Sequence, residues 1–163
     1  MTTTLYENDV YAWAQRQVEL LRAEDFEHVD WNNLIEEIDS VGIEQLHKVE
    51  SHLIRLLQHL LKWQYQPSKR ATGRSWQLTI VEQRGRLRRV LRKNPSLRAR
   101  VPDIIADIYP DAVQLAVVET GLAKQTFPTD CPYTLDQIMD DEFWPEPEGS
   151  VGDGDASDML TNQ

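Results

Sequence analysis

One cysteine in 163 residues leaves Cys131 without a partner for an internal disulfide, so nothing in the chain calls for an oxidising compartment. Long apolar runs are missing as well. The most apolar stretch, Leu53 to Trp63, is broken by Arg55, Gln58, His59 and Lys62, far short of the roughly 20 residues a membrane-spanning helix requires. The first residues, MTTTLYENDV, contain neither a basic start nor an apolar segment, so no signal peptide is expected and the expected location is cytoplasmic. Alternating β-branched runs are absent, which argues against a sheet, and no 20-to-50-residue period repeats, which argues against a solenoid. Catalytic motifs are scarce in the same way. Gly73 is the one glycine near the basic loop and does not make a phosphate-binding loop, and no serine, histidine and aspartate spacing forms a nucleophile elbow. Cys131, between Asp130 and Pro132, has no basic neighbour to lower its pKa and reads as inert.

What the chain does have is apolar residues at helical spacing. Trp31, Leu34, Ile35, Ile38, Val41, Leu46, Val49, Leu53, Leu56, Leu57 and Leu60 recur every three or four residues, which predicts a long central helix from a cap at Asp30 to Pro67. Gly42 leaves open whether residues 31–66 form one helix or two. Before it, Val10, Trp13, Ala14, Val18 and Leu21 predict a helix over about residues 8–23. After it come a basic loop at Pro67–Gly73, a helix capped by Ser75 that stops before Pro95, and a series from Asp103 to Gly121 that Pro110 should kink or split. Thr134 and Gln137 form a capping box for a last short helix. The expectation is therefore an all-α fold. It comprises a single domain over residues 1–144, a bundle of about five helices around the long one, and a flexible acidic tail over 145–163.

The net charge of -10 is unevenly spread: residues 68–100 hold eleven basic side chains against Glu82 alone, with acidic segments on both sides. Lys69, Arg70, Arg74, Arg86, Arg88, Arg89 and Arg92 form the candidate basic face for a partner. A second candidate is a polar cluster at the core edge. His52 and His59 border the apolar stripe of the long helix, and Gln83 and Arg84 occupy the matching edge of the next, so a proton-transfer site or a set of register-fixing bonds would both suit them. The two histidines are seven residues apart, about 10 Å of helix rise, which is too far to share one metal ion. Glu44-x-x-His47 points away from the apolar stripe and Asp25-x-x-His28 falls in the predicted connector, whereas a dimetal site needs two such motifs and two further carboxylates projecting into the core, so no metal or other cofactor is expected.

The runs EEI (36–38), ESHL (50–53), HLLKWQYQP (59–67), SW (75–76), EQR (82–84), NPSL (94–97), ETGL (119–122) and FPTDCPYT (127–134) together resemble the bacterial domain-of-unknown-function family twenty-nine, over about residues 5 to 145. The resemblance implies a small helical protein and brings no activity, cofactor or catalytic residue with it. From the residues themselves, the favoured reading is a non-enzymatic binding or regulatory module whose polarised charge selects another protein. Nucleic-acid binding through residues 68–100 is the alternative, and an enzyme built on His52 or His59 a second. Oligomeric state stays open.

Overall fold

The computed structural model describes residues 4–148, and among them every regular element is helical. The expected tail lies outside the described residues from position 149 onward. The described residues form seven α-helices: α1 (Leu5–Asn8), α2 (Val10–Arg22), α3 (Trp31–Tyr65), α4 (Arg74–Lys93), α5 (Pro95–Arg98), α6 (Val101–Thr120) and α7 (Leu135–Met139). No described helix is long and apolar enough to cross a membrane. The chain divides between His47 and Lys48 into two compact units.

The first unit is built on caps and part-buried polar bonds. Thr4 and Glu7 close a capping box at α1, and Asp9 caps α2 by accepting from the Ala12 amide at 2.9 Å. Asp30 joins α2 to α3. Its carboxylate accepts from the Trp13 indole at 3.1 Å and from the Asn33 side chain at 2.7 Å, while its own amide donates to the buried Gln17 carbonyl at 2.8 Å. The Asn33 amide holds the Asp30 carboxyl below its usual range against the opposing effect of burial, with Trp13 adding to the stabilisation of the charge. Tyr6 stacks edge-on against Trp13 at 4.9 Å and donates to Glu37 at 2.6 Å, fixing α1.

In the second unit the core is aliphatic. Val49, Leu53, Leu56, Leu57, Leu60 and Leu61 of α3 are fully enclosed, as are Ile80 and Leu87 of α4, Val101, Ala112 and Ala116 of α6, and Ile138 of α7. Each buried leucine or isoleucine contributes roughly 1.5–3 kcal/mol relative to exposure. Gly121, at φ 71°, ends α6 in the left-handed conformation that glycine adopts at no steric cost.

The question left open at Gly42 is answered by one unbroken helix: α3 runs through it, since a single glycine costs only about 1 kcal/mol inside a helix. Two local expectations are corrected. α6 is not split at Pro110; the proline removes one amide donor, while Ile108, Tyr109, Ala112 and Val113 around it stay buried and hold the helix together. Ser75 does not cap α4, whose first residue is Arg74. The apolar stripe of α3 also has two fates. At about 100° per residue, Trp31, Ile35, Ile38 and Gly42 lie on the same line as Val49, Leu53, Leu56 and Leu60. Yet Trp31, Ile35 and Ile38 are 48%, 61% and 65% exposed, whereas the later four are enclosed.

Candidate functional site

The core-edge cluster separates into parts. His52 and Gln83 meet: the ring Nδ1 is 2.8 Å from the Gln83 Oε1, which ties α3 to α4. A carboxamide oxygen accepts, so the imidazole donates there and carries its proton on Nδ1. His59 turns instead to its own helix and donates from Nδ1 to the Arg55 carbonyl at 2.9 Å. Burial is the main cause that pushes the His59 pKa below its ordinary value; the bond to the Arg55 carbonyl opposes it most, the Lys62 charge adds repulsion, Glu119 opposes, and the Arg55 charge adds a smaller repulsion.

Around His59 lies a polar layer that the sequence reading missed. Gln58 and Lys62 are 1% and 6% exposed, and Lys62 ion-pairs with Glu119 of α6 while its ammonium sits 4.7 Å from the centre of the Trp76 ring. Burial pushes the Glu119 carboxyl up, but the Lys62 bond and charge, helped by His59 and Gln58, outweigh it and hold the group below the usual carboxylate range. In sequence, Lys62 registers only as an interruption of an apolar run. Its signal was that Gln58, His59 and Lys62 stand together at i, i+1 and i+4, beside the core stripe.

This layer fixes a pH response. A buried imidazole with a lowered pKa binds fewer protons folded than unfolded, so its contribution is fully present above the ordinary value of 6.5 and is lost as the pH falls from there towards the lower folded value. The Glu119 carboxylate adds a loss of the same sign below 4.5. Melting temperature should therefore drop between pH 7.5 and 5.5, and His59→Asn should flatten that part of the profile. A wild-type profile that is level or rising towards acid across this window would contradict the assignment.

Arg84 serves a different purpose from its predicted cluster. Fully buried on α4, it donates from Nε to the Ile138 carbonyl at 2.9 Å and from its two terminal nitrogens to Asp141 at 3.5 Å and Phe143 at 2.8 Å. Its guanidinium lies 5.6 Å from the Trp144 ring centre. Burial lowers its pKa, with the charges of Asp141 and Asp140 opposing this. Arg70 makes a second clamp. It lies 4.9 Å from the Trp63 ring centre and donates to the carbonyls of Trp63 at 2.8 Å and Pro145 at 2.9 Å. Trp63 and Trp144 meet at 5.0 Å between these two arginines. The segment that follows α7 is thereby strapped onto α3 and α4 by planar donors that match backbone oxygens.

Of the predicted basic face, Arg70 and Arg88 are engaged by other residues. Arg88 ion-pairs with Asp141 and donates to the Met139 carbonyl at 3.3 Å. Lys69, Arg74, Arg86, Arg89 and Arg92 are exposed, and their side chains make no hydrogen bond or ion pair among the described residues. By helical spacing Arg74, Leu78, Val81, Gly85, Arg89 and Arg92 fall within an arc of about 80° on α4, opposite Ile80, Leu87 and Leu91. Leu78 and Val81 are 62% and 52% exposed in the middle of this arc. Two cavities open elsewhere, along α6. One of about 410 Å³ is lined by residues including Tyr109, Cys131 and Tyr133, and one of about 500 Å³ by residues including Val113, Lys124 and Phe127. Neither lining contains His52 or His59. Burial raises the Cys131 thiol pKa, keeping it the weaker nucleophile.

These features describe an all-helical protein whose buried arginine is bonded to backbone carbonyls and whose exposed cations line one helix around an apolar centre. The chain belongs to the family described as domain of unknown function DUF29, whose model matches residues 5–144. Neither the curated proteins nor the solved structures match it.

Proposed function

We propose that the protein is a binding module that captures an acidic helix with an apolar face on the outer side of α4. The observation that carries this reading is the pair Leu78 and Val81, half or more exposed between Arg74 and the arginines at 89 and 92. Isolated exposed aliphatics need no explanation, but two on one helix line, bordered by cations without partners among the described residues, present both halves of an amphipathic docking surface. Apolar side chains in the middle of the arc suit a partner with a side-chain face of its own better than a phosphate backbone, which favours protein over nucleic acid. Charge would speed the encounter and select the partner, and the aliphatic pair would hold it. A cytoplasmic setting, in which Cys131 stays reduced, belongs to the same proposal.

The test is a photo-crosslinking amino acid at Leu78 in cells, with one at the exposed Gln114 of α6 as control and the crosslinked segment read by mass spectrometry. The Leu78 probe should capture an acidic helical segment, and Arg89→Glu with Arg92→Glu should abolish the capture. Crosslinks to nucleic acid, or none above the Gln114 level, would overturn the reading.

A further inference from the structure

Resting on that reading of α4, we propose that the helix it captures is the first half of α3 from a second copy of this chain. The structure leaves two bare helix faces that complement each other. On α3, Trp31, Ile35 and Ile38 continue the core stripe into solvent. They belong to a segment, residues 1–47, that holds eleven acidic and two basic side chains. On α4, Leu78 and Val81 lie in a segment, residues 68–100, with eleven basic side chains and one acidic. Pairing α3 with its own copy would set acid against acid, which is unfavourable, whereas α3 against α4 sets opposite charges beside matching apolar lines.

A second observation comes from the glycines. Gly42 and Gly85 stand inside the two helices, each on its bare line, and a side chain added at either would meet nothing within 4 Å. Neither is required by its own fold, and each costs roughly 1 kcal/mol relative to alanine. A glycine at the centre of a bare face lets another backbone approach closely, which gives both positions one explanation. Trp31, Ile35 and Ile38 of α3 and Leu78 and Val81 of α4 are all exposed, and a closed pair of copies would engage both faces of each. Each copy gives α3 to its partner and receives α3 on its α4, doubling the buried area and closing the assembly.

The experiment is sedimentation of the full chain across about 1 to 100 µM, with Ile38→Asp, Val81→Asp and their equimolar mixture, each checked for helicity by circular dichroism. Both positions are exposed, and Ile35→Asp and Leu78→Asp serve as second variants should either fail to fold. Wild type should be a dimer, and each variant should weaken self-association at least about tenfold. The mixture should recover association, because the intact α3 of one variant finds the intact α4 of the other. A dimer sensitive to Ile38→Asp and indifferent to Val81→Asp would mean that α3 pairs with α3 and would overturn the proposal, as would a mixture no stronger than its components. A wild-type monomer throughout, with the Leu78 probe crosslinked to an acidic helix of a different protein, would defeat the second copy and leave the α4 reading standing. A Leu78 probe that captures nothing would defeat both.

Discussion

Arg84→Ala should lower the unfolding free energy by about 3–5 kcal/mol, the range for removing one member of a buried, bonded charged set. The substitution takes away a fully buried side chain and leaves the carbonyls of Ile138, Asp141 and Phe143 without their donor. It also removes the cation beside Trp144, so the strap after α7 loses a clamp together with part of its packing. Arg84→Lys should recover less than half of the loss, since an ammonium is a point donor on a flexible stem and cannot reach three carbonyls that a planar guanidinium spans. Urea denaturation followed by tryptophan fluorescence is the measurement, because Trp63 and Trp144 lie against each other at the site. Arg89→Ala, exposed on the same helix, should stay within about 0.5 kcal/mol and controls for charge removal. A loss under about 1 kcal/mol for Arg84→Ala would mean that the carbonyls find water and that the clamp does not hold the strap.

Much of the helical frame was legible because apolar spacing and caps are local. Thr134 with Gln137, Gly121 after α6, and the α3 stripe through Leu53, Leu56 and Leu60 each rest on residues within a few positions of one another. The exposure of Ile35 and Ile38 was not legible, because their periodicity is that of Leu53 and Leu56 and only the neighbouring elements decide which part is covered. The sites show the same division. Helix faces alone put His52 and Gln83 on neighbouring edges without pairing them, and their side chains meet in the structure. Arg84 was placed on the right edge of α4 and given the wrong company, since its acceptors are backbone carbonyls more than fifty residues later, and a backbone oxygen has no signature in sequence. Arg70 was counted with the surface cations for the same reason: its acceptors are the Trp63 and Pro145 carbonyls. Lys62 and Glu119 were overlooked as a pair because 57 positions separate them and each alone resembles an ordinary surface charge.

That pair carries the second large effect, and its two halves should differ. Removing the acid in Glu119→Leu leaves the Lys62 ammonium, whose side chain is 7% exposed, without its counter-charge, and should cost about 3 kcal/mol. Removing the base in Lys62→Met leaves a carboxylate whose side chain is 40% exposed and within reach of water, and replaces a buried stem with one of similar volume, so the cost should be nearer 1 kcal/mol. The Trp76 ring beneath Lys62 tempers the first loss without abolishing it, because an aromatic face returns only part of what a carboxylate supplies. The double variant should then be more stable than Glu119→Leu alone, since methionine removes the stranded charge, and the coupling from a double-mutant cycle should exceed about 1 kcal/mol. Denaturant melts of the four proteins at pH 7 decide it. Equal costs for the two single variants, or simple additivity in the double, would show that Lys62 reaches solvent on losing its partner, and that the buried layer around Gln58 and His59 does not depend on the ion pair.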